Sequence, residues 1–379
     1  MAFAMGWEIL WPLVLGFALS AVIQAIVSHR EMSRLLPDES PRSIGIALAL
    51  GAASSSCSYA AVAIARSIFR KGANFTAVMA FEMASTNLVL ELSIILIVLM
   101  GWYFMVAEAI AAPIMVAILA LLFRMFLQPH LVHASKDQAD KGISGRMEGH
   151  AEMDMSVPAE GPLWQRIMSH KGLTAISRYF VMDWAAVWMD IVGGVVIAGA
   201  IAAWVPQDFW KAFFLTDHPV LATLWGPLVG PLVAIIAFVC SVGNIPLAAV
   251  LWNAGISFGG VLAFILADLI VLPILNIYRK YYGLKMAAFL LVTFYVAMAA
   301  AALVVEGLFG ILGLIPYERQ ARIVEATVTW NYTTWLNIGF LFLAAFLVWR
   351  FVTTGGIDML RMMNRPARGD EPDHHAHSS

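Results

Sequence analysis

Charge is scarce in this chain and cysteine almost absent. Only 13% of its 379 residues are Asp, Glu, Lys or Arg, against about 25% in a soluble domain, which excludes an ordinary water-solvated globule. Two cysteines make no disulfide framework. No phosphate-binding GxxxxGK[ST] loop occurs, so transport energised by an ATPase domain within the chain has no support. No Ser-His-Asp or zinc-protease signature occurs, and no nucleophile and base pair stands out. Neither enzyme activity, nor a cofactor, nor a nucleic-acid partner is expected. The first residues, MAFAMGWEIL, lack a basic n-region and predict a retained first helix rather than a cleaved signal.

What is abundant is apolar surface. Hydrophobic residues make up 61% of the chain, and the mean hydropathy is +0.81. A spanning helix needs roughly 20 apolar residues, and about nine segments of that order occur. The reading is an integral membrane protein whose first partner is the lipid bilayer.

Within this apolar background a segment recurs. CSYAAVAIARSIFRKGANFTAVMAFEMA, Cys57 to Ala84, aligns without gaps with CSVGNIPLAAVLWNAGISFGGVLAFILA, Cys240 to Ala267. Cys57/Cys240, Ser58/Ser241, Gly72/Gly255, Phe75/Phe258, Phe81/Phe264 and Ala84/Ala267 coincide. At a slightly shorter interval Trp7/Trp184, Trp11/Trp188 and Gly16/Gly193 coincide as well. Duplication inside an apolar chain points to a transporter built from two copies of one unit.

The predicted spans are Trp7–Val27, Phe75–Met100, Tyr103–Leu127, a segment around Trp184–Val196, Ser257–Ile277, Met286–Val305 and Thr333–Arg350. Two further apolar segments, Ile44–Phe69 and Val220–Trp252, are interrupted mid-way by small polar residues. The placement of basic residues decides how these two lie. If both cross, the 23 basic residues divide almost evenly between the two sides; if both enter and turn back, all but Lys211, Arg319 and Arg322 fall on the C-terminal side. The second arrangement is expected.

The resulting fold is an all-α polytopic membrane protein with two inverted-topology repeats. Each repeat has a span, a re-entrant hairpin and two further spans, and one extra C-terminal span follows. The expected divisions are residues 1–127, first repeat; 128–171, a polar, solvated and partly disordered cytoplasmic linker; 172–306, second repeat; 307–352, loop and additional span; and 353–379, a polar cytoplasmic tail.

Cys57 and Cys240 lie at the two breaks, with Ser56, Ser58, Ser241 and Asn244 beside them. Two thiolates offered to one soft ion suit trivalent arsenic, mercuric or cuprous ion, whereas a small cysteine also serves close helix packing. Ionisable groups inside spans are functional hypotheses by default. Glu82 and Asp268 fall within one turn of the same repeat position, and a carboxylate there suits a proton-coupled step, because a proton removes a costly charge. Asn87 and Glu91, at i and i+4, continue the polar stripe, and Glu91 is expected to join Glu82 and Asp268 in proton coupling. A purely structural role, locking helices by hydrogen bonds, is the other reading. Asp183, Asp190, Glu108 and Glu306 lie nearer segment ends and are expected at the solvated interface. His150, Met153 and Met155 in the linker, and the His-rich tail, are soft-metal ligands by residue type.

The doubled pattern, a Cys-Ser element, a small-residue or Pro turn, a helix ending in Gly72 or Gly255 and then Ala-Phe in the next span, resembles the predicted permease family that includes the organoarsenical efflux permeases. The resemblance covers Ile44–Leu127 and Val220–Val305. It implies an inner-membrane permease; the family's best-characterised branch exports trivalent organoarsenicals, with cysteines implicated in handling the substrate, and the motif is less specific for substrate than for fold. The first motif departs from the family's Pro-Cys-Ser-Cys-Gly type: it reads Ser56-Cys57-Ser58-Tyr59-Ala60, and only the second keeps a proline, Pro246. A two-thiol site must therefore pair Cys57 with Cys240.

The expectation is a secondary transporter exporting a soft, thiol-seeking solute by alternating access, alone or as a homo-oligomer. The alternatives are an uncoupled channel for a small anion or neutral solute, and a membrane partner in metal delivery.

Overall fold

A computed structural model of the chain describes residues 2–26, 34–54, 58–140, 155, 157, 162–204, 207–237, 241–316, 319, 321 and 332–363; some side chains within these helices are not described. Among the described residues there are helices and no strand. The first half contains α1 (Ala2–Ile26), α2 (Pro41–Ser54), α3 (Ser58–Arg70), α4 (Phe75–Asn87), α5 (Leu90–Met100) and α6 (Trp102–Phe126). Two helices of the connector follow, α7 (Pro129–Asp140) and α8 (Leu163–Met168). The second half contains α9 (His170–Trp204), α10 (Gln207–Phe213), α11 (Pro219–Ala237), α12 (Ser241–Ala254), α13 (Phe258–Leu266), α14 (Leu272–Tyr282) and α15 (Leu284–Ile311). The chain ends in α16 (Tyr332–Thr353) and α17 (Gly356–Met363).

The duplicated sequence thus folds into a duplicated element order. α3 and α12 each end in a turn on a glycine with positive φ, Gly72 at 101° and Gly255 at 114°. A residue with a Cβ is strained there. The following helices are capped at the paired positions, Asn74 accepting from the N–H groups of Thr76 and Ala77, and Ser257 from that of Gly260. Such caps satisfy donors that the bilayer interior cannot. Gly101 at 95° and Gly283 at 88° then turn the chain into the long helices α6 and α15.

Packing follows the same duplication. α2 lies along α4, and α11 along α13. Close approach is made by glycines: a Cβ on Gly51 would meet the Phe81 carbonyl at 2.5 Å, and one on Gly230 the Gly260 carbonyl at 2.5 Å. Gly226 and Gly230 form a small-xxx-small pair of the kind that draws helices together in lipid. Between the halves, α1 packs on α9 and α6 on α15. α16 is fastened to the first helices: Asn337 Nδ2 donates to Trp7 O at 2.7 Å, and Arg350 Nη2 to His170 O at 2.9 Å.

Among the described residues, Trp102–Phe126, Leu284–Ile311 and Thr334–Thr353 are each long and apolar enough to cross a membrane, and there are up to five such spans if each of the bent pairs α4/α5 and α13/α14 is one. Exposed Ile236, Val292 and Phe342 present apolar surface outward, as lipid requires.

Three details depart from the sequence reading. The predicted spans Phe75–Met100 and Ser257–Ile277 are not continuous helices; they bend by 41° and 40°. The bends fall at Val89 (ψ 145°) and Val271 (ψ 149°), whose extended backbone interrupts the ladder. The connector is not solvated throughout, since α7 packs on α3 and α14, with Ser135 and Ala139 buried. Arg66, one of the basic residues expected on the C-terminal side, is 1% exposed; its Nη2 donates to Ala139 O at 2.8 Å, and its guanidinium lies 4.4 Å from the Tyr281 ring.

Candidate functional site

Buried polar side chains of the two halves come together where α3, α4, α6 and the end of α13 meet. Asp268 lies on a single 3₁₀ turn, Ala267–Ile270, that tightens the end of α13. Such a turn inside a helical run marks strain or a hinge. Ser58, the first residue of α3 and the neighbour of Cys57, donates its hydroxyl to Asp268 Oδ2 at 2.8 Å. Asn87, the last residue of α4, reaches Asp268 Oδ1 at 3.5 Å, at the outer limit of hydrogen bonding. Its amide also donates to Met83 O and Thr86 Oγ1, both at 3.1 Å. One carboxylate of the second half is thus held by two polar groups of the first.

Glu82, one turn earlier on α4, accepts through Oε1 from the Tyr278 hydroxyl of α14. Glu108 comes in from α6. Asp268 is close enough to both Glu82 and Glu108 for their charges to interact. Glu82, Asn87, Glu108 and Asp268 are all 0% exposed. Glu82 Oε2, Asn87 Oδ1 and both oxygens of Glu108 accept no hydrogen bond from any described residue. Two buried carboxylates, Glu82 and Glu108, with acceptors that no described residue meets are costly unless a proton, water or transported cation meets them.

Of the residues expected here, the structure brings together Ser58, Glu82 and Asp268. Cys57, Ser56 and Cys240 lie outside the described residues, as do His150 and Met153. Ser241 opens α12, but its side chain is not described. Asn244 is fully buried in the first turn of α12, its amide without a partner among the described residues. The backbone N–H of Met155 donates to Tyr179 Oη at 2.8 Å, and its side chain is half-buried against the core. Among the described residues no group of three His, Cys, Asp or Glu is arranged to hold a metal ion.

Glu91 falls elsewhere. The break at Val89 takes it off the stripe that Asn87 ends, and it lies instead by Asp183, near enough for the two charges to interact. A Cβ on Gly16 of α1 would strike the Glu91 Cβ at 2.1 Å. Asp183 Oδ2 accepts from Gln24 Nε2 at 3.0 Å, Gln24 also donates to Ser20 Oγ at 2.9 Å, and Ser20 donates to Ser54 O at 3.2 Å, at the edge of the first break. This second polar cluster sits between α1 and α9.

Asp183, Glu108 and Glu306 correct the expectation of interfacial carboxylates: all three are buried, at 7%, 0% and 5% exposure. Position along a segment measures depth in the bilayer and not depth in the protein, and packing of the halves covers these groups. Glu306 accepts from Ser257 Oγ at 3.2 Å and from the backbone at Gly259 and Phe258, joining α15 to the start of α13. Tyr278, Gln24 and Ser20 carried no repeat signal. Glu108 carried one usable sign, a carboxylate at the sixth residue of a predicted span.

Residues 1–307 match the family model ArsP_1, described as "Predicted permease". The chain is similar to "Putative permease Rv2963" of Mycobacterium tuberculosis (strain ATCC 25618 / H37Rv), with 60% identity over 348 residues, covering 92% of this chain and 84% of that protein. No solved structure matches it significantly. Membrane-length helices, a buried polar cluster between two like halves, and a family match running almost to the end of α15 agree with one another: the chain belongs to this permease family of multi-pass membrane proteins.

Proposed function

We propose that this permease is a proton-coupled secondary transporter exporting a soft, thiol-seeking solute, a trivalent arsenical or soft metal species, by alternating access of two inverted repeats. The observation that carries the reading is the Ser58–Asp268–Asn87 contact. It ties a buried carboxylate of one half to the residue next to Cys57 in the other, with Glu82 and Glu108 alongside. Cys57 and Cys240, at the breaks between α2 and α3 and between α11 and α12, take the solute through sulfur. Ser56, Ser58, Ser241 and Asn244 line the same place.

Coupling follows from the cost of charge. With Asp268 and Glu82 ionised, the site holds like charges in a dry interior; a proton relieves them and frees Ser58 and Asn87 to rearrange. Proton loading on one face and release on the other thereby drives movement of the hairpins that carry the cysteines. The inner membrane is the setting, with linker and C-terminus in the cytoplasm. Three interior carboxylates argue against a small-anion facilitator, since an anion on this path meets charge of its own sign.

The test is uptake of a trivalent phenylarsenical into everted membrane vesicles with an imposed proton gradient. Accumulation is expected for the natural chain, loss for Cys57→Ser with Cys240→Ser, and loss of gradient dependence for Asp268→Asn. Undiminished uptake by the double cysteine variant would remove the thiol role, and gradient-independent uptake by the natural chain would remove coupling.

A further inference from the structure

The repeat continues beyond the segment in which its sequence is recognisable. Lys136, on the connector helix α7, donates from Nζ to the Phe69 carbonyl at 3.3 Å and lies 5.4 Å from the centre of the Phe69 ring. Arg319, in the loop after α15, donates from Nη1 to the Trp252 carbonyl at 3.0 Å, with its guanidinium carbon 4.6 Å from the Trp252 ring. Phe69 and Trp252 are separated by the same interval as Cys57 and Cys240, and so are Lys136 and Arg319. Two basic residues outside the recognisable repeat thus make one and the same contact, a helix-end carbonyl bonded and its own aromatic ring covered.

The turns they clamp are also matched. Gly72 N–H donates to Phe69 O at 3.0 Å and Ala73 N–H to Ile68 O at 3.3 Å; Gly255 N–H donates to Trp252 O at 3.1 Å and Ile256 N–H to Leu251 O at 3.2 Å. Arg319 Nη1 bonds Ile256 O as well, at 2.9 Å. A second fastening accompanies each cation. Arg70 Nε meets Asp140 Oδ1 at 3.4 Å in an exposed ion pair. At the position paired with Arg70, Asn253 exchanges two hydrogen bonds with the Ala321 backbone, both 3.0 Å. Each clamped ring also meets an aromatic of the opposite half, Phe69 with Tyr282 at 6.0 Å and Trp252 with Phe104 at 5.1 Å.

We propose that Lys136 and Arg319 are a symmetry-related pair of latches, each holding shut the turn of one interrupted helix pair on its own face of the membrane. The proposal rests on the alternating-access reading above, which puts the two turns on opposite faces. Each turn leads through its cap into a carboxylate-bearing segment, α4 with Glu82 or α13 running on to Asp268. Holding the turn therefore holds the start of the helix that forms the buried site. A cation at a helix C-terminus and over a ring is favourable yet reversible where water reaches it; Lys136 is half-buried and Arg319 exposed. In this structure both latches are closed, as in an occluded state between the two open ones.

The chain's only cysteines report the state. The full-length protein, in sealed vesicles of known orientation, is labelled with a membrane-impermeant maleimide from one face and then from the other. Lys136→Met keeps the apolar stem and removes the charge; it is expected to raise cysteine labelling from the cytoplasmic face several-fold and to lower it from the opposite face. Arg319→Met is expected to do the reverse, and Lys136→Arg and Arg319→Lys to behave as the natural chain. Should either Met variant fail to reach the membrane, Lys136→Gln and Arg319→Gln carry the same comparison. Equal shifts in one direction, or no shift, would overturn the latches. Labelling of the natural chain from one face only would overturn alternating access and the latches with it. Opposite shifts in a protein that moves no phenylarsenical would sustain the latches and overturn the substrate reading instead.

Discussion

The two halves share a frame and differ in what they bury. At the position where the second half has Asp268, the first has Ser85. Ser85 turns its hydroxyl back to Glu82 O of its own helix at 2.8 Å, while Asp268 reaches across and accepts from Ser58 and Asn87 of the other half. The helix around Ser85 runs on regularly to Asn87; that around Asp268 tightens into a 3₁₀ turn. Glu82 and Glu108 have no carboxylate counterparts in the second half, where the paired positions hold Ile265 and, at the spacing one residue shorter that pairs Gly101 with Gly283, Leu290. Duplication thus supplies turns, caps and crossings that suit two like movements. The buried carboxylates Glu82, Glu108 and Asp268 stand where the copies have diverged.

The strongest way to break that comparison is to make the halves alike at this one position. Asp268→Ser leaves Ser58 and Asn87 without their shared acceptor. A buried polar group so orphaned costs about 1–3 kcal/mol, and gradient-driven uptake in everted vesicles is expected to fall roughly 10- to 100-fold, as a lost interaction of that size implies. Ser85→Ala, which removes only an intrahelical bond, is expected to leave uptake within about twofold of the natural chain, because a weak local bond contributes little to a packed helix. Equal losses in the two variants would show that the divergence at this position carries no chemistry.

The next effect tests the shared frame. Gly51→Leu drives a side chain into the α4 backbone, and Gly230→Leu drives one into that of α13, with the same first clash of 2.5 Å against a carbonyl. Overpacking of this kind costs about 1–3 kcal/mol, to be read as a drop in thermal stability in detergent. Similar drops are expected in the two halves. A large drop in one alone would mean that one crossing is structural and the other is free to part.

Glu108→Gln sharpens the polar side of the contrast. Its oxygens accept no hydrogen bond from a described residue, so removing the charge is expected to leave stability unchanged or raise it. The pH dependence of uptake is expected to become shallower. Unaltered uptake at every pH would place Glu108 outside the coupling cluster.

Much of the frame was legible in the sequence, and for physical reasons. Positive-φ turns need glycine, so Gly72 and Gly255 stand out. Small polar residues break apolar helices, and the interruptions expected in Ile44–Phe69 and Val220–Trp252 fall between α2 and α3 and between α11 and α12, although Ser241 and Asn244, expected within the second interruption, lie inside α12. Glu82 and Asp268 were found because charge in an apolar run has to be accounted for. The bends at Val89 and Val271 were hidden, because valine in an apolar run carries no periodic or turn signal; Pro273 was the one usable hint. Glu91 was misplaced as a consequence, since the i, i+4 rule holds only along an unbroken helix. The burial of Glu108, Asp183 and Glu306 is a tertiary outcome that spacing along a segment does not encode. Lys136 and Arg319 pair at the same gap-free interval as Cys57 and Cys240, in a stretch where the two copies no longer share a recognisable sequence.

The smallest predicted effect concerns how the first half fastens its interrupted helix pair at the water side. Pro41 opens α2, and its missing N–H suits the first helical position. Asp38 draws the preceding turn together: it accepts from Ser40 N–H at 3.1 Å and Ser40 Oγ at 2.6 Å, and from Ser43 Oγ as well. These hydrogen bonds, chiefly those from the Ser40 and Ser43 hydroxyls, hold its carboxyl below the ordinary value. A carboxyl lowered on folding stabilises the fold above its unfolded pKa, near 3.9, and that contribution disappears as pH falls through the lowered folded value. Because Asp38 is solvent-exposed, the effect is small. Asp38→Asn is expected to lower neutral-pH thermal stability slightly and to flatten its acid limb below about pH 4 by the same small amount, while leaving uptake almost unchanged. An acid limb as steep as that of the natural chain would move its origin away from this cap and toward the carboxylates inside the membrane.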